Sequence, residues 1–269
     1  MPDQHKPLQG IRILVTRAKH QNQHLSQLIE QAGGKAIAFP VLEIIAPQNI
    51  QSINSQLSKT NTWDWIIFTS ANAVNYAVDI TNQQLPITEI TKIAAIGDKT
   101  ANCLAKHGIT VDLIPAVSSS EGLASSLEMQ TINNLNCLII KGEGGRTMLE
   151  KQLSERGAVI TTVDVYRRIC PKSDSLSLLD QWSQQAINYV TVTSVEALNN
   201  LIQLIGDQGF KRLKEATIVV FSQRIHAAAI NKGLVNVVIA TSTSDKGIIE
   251  SMVQIQKIGL KSTPRVQSD

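Results

Sequence analysis

The feature that most restricts the fold is a long internal repeat. The segment IAAIGDKTANCLAKHGITVDLIPAVSSSEGL, residues 93–123, aligns without a gap on IVVFSQRIHAAAINKGLVNVVIATSTSDKGI, residues 218–248, an offset of 125 from Ile93 to Ile218. Both read as apolar strand, polar turn, alanine-rich helix, glycine, second strand, Ser/Thr-rich loop, then glycine and an aliphatic residue. Gly108 matches Gly233 and Gly122 matches Gly247. A glycine just past a helix can take a positive φ because it has no Cβ to clash. The Thr-Ser pairs of WIIFTSANAV (65–74) and YVTVTSVEAL (189–198) match at an offset of 124, as do VLEIIAP (41–47) and VYRRICP (165–171). Upstream, IRILVTR (11–17) resembles NCLIIKG (136–142). Repeats of roughly 20–50 residues build solenoids. A period this long is domain-sized, so the chain is expected to make two similar domains.

Within each copy, strands and helices alternate. Strands are expected near 11–16, 35–39, 64–69, 92–96 and 110–114, with counterparts near 136–141, 158–163, 187–193, 216–221 and 235–240. They are short unbroken apolar runs, the pattern of strands covered on both faces by helices. Helices such as 19–32 and 145–156 carry spaced Leu and Ile. The alternation points to α/β architecture with two doubly wound parallel sheets. Pro47 and Pro171 each end an extended stretch, because proline lacks an N–H and biases the preceding residue away from α geometry. Segments 41–47 and 164–171 therefore read as linkers, and two chain passes are expected to join the bodies.

Composition narrows the function. The 269 residues are 43% hydrophobic, enough to bury two cores, and with aromatics at 4% aliphatic side chains must fill them. A net charge of +3 is too mild for nucleic acid, whose binders concentrate basic residues on one face, but it suits an acidic small ligand. Cys103, Cys137 and Cys170 are widely spaced and odd in number, which argues against a disulfide scaffold or zinc site and for a reducing compartment. The start, MPDQHKPLQG, lacks the apolar segment of a signal peptide, and no apolar run reaches the ~18 residues of a membrane span. The chain is read as cytoplasmic, with no membrane or nucleic-acid partner and a frayed KSTPRVQSD tail.

Open α/β sheets bind ligands beyond the carboxyl ends of their strands. The residues expected there are Thr16-Arg17, Thr69-Ser70 with Asn72, and Gly97 to Thr100 in the first copy; Lys141-Gly142-Glu143, Thr193-Ser194 and Ser222-Gln223-Arg224 stand there in the second. Small residues, hydroxyls and cations dominate, and carboxylates are few. Helix N-termini with unpaired N–H groups suit anions, and each charge-assisted hydrogen bond contributes roughly 1.5–3 kcal/mol. The plain alternatives stand beside these readings. The Thr-Ser pairs could only cap helices. KGEGGR (141–146) fits neither dinucleotide nor P-loop spacing and could be a turn or an anion cradle. Tyr166 could be a buried tyrosine with its hydroxyl satisfied. His20 and His24 are four apart but have no evident third metal ligand, and no nucleophile–base set or cofactor fingerprint appears.

Taken in order, ILVTRAKHQNQHLSQLIEQAGGKAIAFPVLEI, WIIFTSANAV, IAAIGDKTANCLAKHG, KGEGGRTMLEKQLSERGA and VDVYRRICP resemble the uroporphyrinogen-III synthase family, from about residue 10 to 255. The resemblance implies two α/β domains on a two-stranded linker: a discontinuous one of about 1–40 plus 170–269, and a second of about 45–165. It implies a monomeric lyase that needs no metal or organic cofactor. Its substrate would be hydroxymethylbilane, a linear tetrapyrrole with eight carboxylates, and the preceding bilane-forming enzyme is the candidate partner. Loss of the terminal hydroxyl gives an azafulvenium, which is attacked at the substituted carbon of the fourth ring. The resulting spiro intermediate fragments and recloses with that ring inverted.

By position, Tyr166 matches the linker tyrosine proposed to assist hydroxyl loss; a phenol is protonated at neutral pH and can donate to a leaving hydroxyl. Thr69, Ser70, Asn72, Gly97, Thr100, Gly142, Thr193 and Ser194 would bind substrate, while Arg17, Lys141 and Arg224 would meet its carboxylates. At 222–225 the chain has Ser-Gln-Arg-Ile where many members have a Gly-Pro-x-Thr-like turn, so Ser222 would supply the hydroxyl there. The rival readings are a two-lobed, non-enzymatic binder of an anionic small molecule, and a nucleotide-dependent transferase using KGEGGR.

Overall fold

A computed structural model describes residues 6–58, 63–144 and 147–262, the side chains of His20 and 259–262 excepted. Expectations for the first five residues, for 263–269 and for Gly145-Arg146 of KGEGGR lie outside that range. In chain order the elements are β1(Arg12–Val15), α1(Lys19–Gln31), β2(Lys35–Ala38), β3(Glu43–Ile45), α2(Ile50–Leu57), β4(Trp65–Phe68), α3(Ala71–Ile80), β5(Lys92–Ala95), α4(Asp98–Lys106) and α5(Ser120–Ser125), then β6(Asn136–Gly142), α6(Met148–Glu155), β7(Val159–Ile169), α7(Ser175–Gln184), β8(Tyr189–Val192), α8(Val195–Leu213), β9(Thr217–Val220), α9(Gln223–Asn231), β10(Val237–Ile239) and α10(Asp245–Ser262). The chain divides into two compact units: residues 1–43 with 169–269, and residues 44–168.

Unit 1 holds a five-stranded sheet in the order β10-β9-β8-β1-β2, with every neighbouring pair parallel. Counted along the chain within the unit, this is the 2-1-3-4-5 order of a doubly wound sheet, whose strand order reverses between its first and third members. The sheet of unit 2 runs β3-β7-β6-β4-β5. Placed on the repeat, β6 and β7 correspond to β1 and β2, and β4 and β5 to β8 and β9. The second sheet therefore repeats four strands of the first, with β3 added outside β7 and, among the described residues, no strand in the place of β10. The sheet of unit 1 takes β1 and β2 from the first copy of the repeat and β8 to β10 from the second; that of unit 2 takes β3 to β5 from the first copy and β6 and β7 from the second.

Strands β1, β4, β6, β8 and β9 are buried on both faces, as their unbroken apolar runs require, while β2, β3 and β10 are half-buried to exposed. In β4, Ile66 and Phe68 join the core on one face while Trp65 and Ile67 join the other, following the period-two alternation of a strand. In unit 1, Leu14 faces one core and Ile13 and Val15 the other. Ile66, Ile67 and Phe68 are fully buried, each contributing about 1.5–3 kcal/mol by leaving water. The repeat's glycines have structural causes. Gly108 and Gly233 follow their helices at φ of +73° and +81°. A Cβ on Gly122 would lie 2.0 Å from the Val117 carbonyl oxygen, and one on Gly247 2.6 Å from Ser242 backbone atoms. Each closes the loop begun five residues earlier, where Ser119 and Ser244 accept the N–H of Gly122 and Gly247 at 2.9 and 3.1 Å.

One expected strand, 110–114, is reduced to a single parallel bridge between Ala94 and Leu113. The Asp112 carboxylate takes the Ile93 N–H at 2.7 Å, a donor that a neighbouring strand would otherwise satisfy. In the other direction, β7 runs on through the expected linker to Ile169. The three cysteines are free thiols; burial, with the Asp64 charge adding to it, pushes Cys137 up to about 11. Among the described residues no helix is long and apolar enough to cross a membrane.

Candidate active site

Ligands of doubly wound sheets settle where strand order reverses, which in unit 2 is between β6 and β4. The carboxyl end of β6 delivers Lys141 and Gly142, that of β4 delivers Thr69 and Ser70, and β7 brings Tyr166 beside Gly142. These line a cavity of about 340 Å³ together with Ile96, Ser119, Ser120, Glu121 and Arg168. A hollow of about 450 Å³ in the same unit is lined by Leu85, Ile93 and His107 among others. It lies by the amino end of β5 and carries none of the sequence-predicted site residues.

The local backbone explains how Tyr166 reaches the cavity. β6 and β7 pair in register up to Lys141 and Asp164, after which Gly142 pairs with Tyr166 and Val165 is passed over. This bulge re-aims the strand, so consecutive Val165 and Tyr166 both join the core that holds Val163. Tyr166 is only 6% exposed. Its ring stacks on Tyr76 at 5.8 Å between centroids and lies against Gly142, where a Cβ would fall 2.3 Å from Cζ and 2.8 Å from the hydroxyl oxygen. Gly142 thus makes room for the tyrosine. Its Oη lies 3.2 Å from Ser70 Oγ.

Ser70 is the N-cap of α3, with φ −165° and ψ 161°, and its Oγ accepts the Ala73 N–H at 3.1 Å. Capping is therefore one of its roles, and contact with Tyr166 is a second. Thr69 donates through both its N–H and its hydroxyl to the Ile140 carbonyl, at 3.1 and 3.2 Å, tying the end of β4 to β6. Lys141 is held inside: its Nζ lies 2.9 Å from Glu150 and 3.7 Å from Asp164, and its side chain is 12% exposed.

Unit 1 repeats the plan at β1 and β8. Ser194 caps α8 by accepting the Ala197 N–H at 3.0 Å, with half-buried Thr193 beside it. Ser222 is the N-cap residue of α9 in the same extended conformation, and Arg224, in that helix's first turn, is exposed. Thr16 is fully buried and donates to the Thr191 carbonyl at 2.6 Å. Arg17 lies over the Phe221 ring at 5.1 Å and pairs with Asp245, whose other oxygen lies 2.6 Å from His24 Nδ1. Burial alone would raise the Asp245 carboxyl, but the His24 hydrogen bond and the Arg17 guanidinium outweigh it and hold it below its ordinary 3.8.

This carboxylate, ionised more readily folded than unfolded, stabilises the protein above that value, and the contribution fades as pH falls below it. Asp245→Asn should accordingly cost about 1–3 kcal/mol at neutral pH, with the gap to wild type closing below pH 3.8. Urea midpoints measured from pH 7 to pH 3 check this; a gap that holds constant to the acid end counts against the pair.

The structure gathers Thr69, Ser70, Lys141, Gly142 and Tyr166 around one cavity. Asn72, half-buried in the first turn of α3, is not among its lining residues. Gly97 is the N-cap residue of α4, with space beside it taken by Ser118, where a Cβ would meet Oγ at 2.7 Å. Thr100 is 5% exposed and is not among the cavity's lining residues. Sequence reasoning missed Asp245 and Glu150, which hold Arg17 and Lys141 from helices that follow later in the chain. It also passed over Ser119, Ser120 and Arg168. Arg168 was open to detection, since strand residues two apart share a face and Arg168 stands two beyond Tyr166. Among the described residues there is no group of three His, Cys, Asp or Glu side chains placed to hold a metal ion; the His20 side chain lies outside them.

The family model described as uroporphyrinogen-III synthase HemD matches residues 23–250. The chain is 30% identical over 203 residues to the uroporphyrinogen-III synthase of Synechococcus elongatus, covering 74% of this chain and 76% of that one. It is 28% identical over 246 residues to the Escherichia coli K12 enzyme of the same name, covering 89% and 99%. Among solved structures, uroporphyrinogen-III synthetase from Helicobacter pylori superposes with a TM-score of 0.63 at 16% identity, covering 91% of this chain and 99% of that one; at that identity the likeness speaks for the fold.

Proposed function

The chain belongs to the uroporphyrinogen-III synthase family, and from that premise we propose that the unit 2 cavity carries the chemistry, with Tyr166 as the acid that releases the substrate hydroxyl. The enzyme is a cyclising lyase of haem biosynthesis. Its substrate is hydroxymethylbilane, and the product carries the fourth pyrrole ring reversed. The observation that supports the assignment is a largely buried tyrosine lining a cavity walled by hydroxyls at the point where strand order reverses, with its Oη 3.2 Å from Ser70 Oγ.

The first step breaks the carbon–oxygen bond of the terminal hydroxymethyl group. The electron pair leaves with oxygen, the phenolic proton of Tyr166 joins it to give water, and the pyrrole nitrogen supplies electrons to the vacated carbon, forming the azafulvenium. After spiro attack, fragmentation and reclosure, the final pyrrole loses a proton as it regains aromaticity, and the phenolate recovers one. The net change is loss of one water.

Hydroxyls and helix N-termini beside the cavity suit the acetate and propionate groups of the substrate: α3 begins directly after the lining residue Ser70 and α5 directly after Ser119, and the first N–H groups of a helix have no partner within it. The bilane closes unaided to the uninverted isomer, so the enzyme must favour the spiro route over direct closure. A tenfold preference needs only about 1.4 kcal/mol of barrier difference. Holding the reacting ends in one geometry can supply that.

The test is direct. Incubated with hydroxymethylbilane and followed by oxidation, the protein should yield the type III porphyrin in large excess over type I. A product that is all type I, made by folded protein, would overturn the proposal and leave a binder of anionic tetrapyrroles.

A further inference from the structure

We propose that Ser70 is a positioning residue for Tyr166, donating its hydroxyl proton to the phenolic oxygen so that the tyrosine's own proton is left for the substrate. This rests on the reading of Tyr166 as the acid. A serine hydroxyl has one proton to give and two lone pairs to accept with. At Ser70 one lone pair takes the Ala73 N–H at 3.1 Å. Tyr166 Oη lies 3.2 Å away on the other side, and the distance allows either atom to donate.

The two directions have opposite chemical consequences. If the phenol donates to Ser70, its proton is committed within the protein and none is offered to a leaving hydroxyl. If Ser70 donates to the phenol, the phenolic proton is free to transfer, and the oxygen it leaves behind already has a donor. The Ala73 N–H strengthens that donor, because a hydroxyl that accepts a hydrogen bond gives its own proton more readily. The chain runs from the first turn of α3 through Ser70 to Tyr166, so the positive end of the helix faces the charge that develops.

The repeat supplies an internal comparison. Ser194 caps α8 in the same way at 3.0 Å, but the residue that matches Tyr166 in the other copy is Leu42. Capping alone therefore accounts for a serine at both junctions, and among the described residues the second bond to a phenol is made by Ser70 and not by Ser194. Tyr166 is held for it by Gly142 on one side and Tyr76 on the other.

A double-mutant cycle on the whole protein tests the link, with kcat and KM for type III formation as readouts. Ser70→Ala should lower kcat by about tenfold to a hundredfold with KM nearly unchanged, and should have no further effect on kcat in a Tyr166→Phe background. Ser70→Thr, which keeps both bonds, should restore kcat. Ser70→Asp keeps the cap but can only accept from the phenol; it should restore the thermal midpoint lost in Ser70→Ala and leave kcat low. If Ser70→Ala lowers kcat equally in both backgrounds, or Ser70→Asp turns over as fast as Ser70→Thr, the serine only caps its helix and the proposal falls alone. Full turnover by Tyr166→Phe would remove the tyrosine reading and this proposal together.

Discussion

Tyr166→Phe should lower the rate of type III formation by about a hundredfold, within the range a positioned general acid contributes, while KM changes little. The substitution removes one oxygen and keeps the ring. The stacking on Tyr76 at 5.8 Å and the contact with Gly142 survive, and Ser70 keeps its cap on Ala73, so folding should be nearly unaffected. Activity should not vanish, because the electron-rich pyrrole can expel its hydroxyl slowly without an acid and the cavity still positions what forms. A second signature follows from competition with the unaided reaction: at low enzyme, slower turnover lets spontaneous closure take a larger share, and type I product should rise. Steady-state assays with isomer separation check both. Undiminished turnover would move the acid to another group.

Much of this arrangement was legible in the residues. Unbroken apolar runs such as Ile66-Ile67-Phe68 can satisfy two cores only if helices cover both faces, and those residues are fully buried. The Thr-Ser junctions announced helix starts, and α3 and α8 begin directly after them. Three things were hidden from the residue pattern. A repeat shows that two copies exist but not which strands pair; a discontinuous first domain was implied only by the family resemblance, and each sheet here mixes strands from both copies. The segment at 110–114 has strand composition, yet its Asp112 side chain replaces a backbone partner. Strand ends carry few acids, so the local sequence offers Arg17 and Lys141 no partner, whereas Asp245 and Glu150 reach them from helices that follow later. Contacts of that kind depend on packing across the sheet, which no local spacing encodes.

Gly142→Ala should be damaging far beyond the size of a methyl group. The glycine's backbone does not demand it; Gly142 is not among the glycines with positive φ, and an alanine could follow the same path. Space is what is missing. The added Cβ would fall 2.3 Å from Tyr166 Cζ and 2.4 Å from Cε2, far inside the ~3.5–4.0 Å of a comfortable carbon contact. The ring cannot slide outward at no cost, because Tyr76 stacks on it and the bulge at Lys141–Gly142 fixes its backbone. Overpacking of this kind costs typically about 1–3 kcal/mol, and the displaced hydroxyl would leave both Ser70 and the substrate. Thermal unfolding and turnover should therefore fall together, with a kcat loss approaching that of Tyr166→Phe. The clash also dictates what can relieve it. Tyr166→Phe removes only the mildest clash, 2.8 Å from the hydroxyl oxygen, and keeps the two closer ring carbons, so adding it to Gly142→Ala should recover little stability; Tyr166→Ala removes all three atoms and should recover a larger part of the loss. An alanine at 142 that leaves both the melting temperature and kcat at wild-type values would mean that the tyrosine ring has room to move and that the glycine is not what seats it.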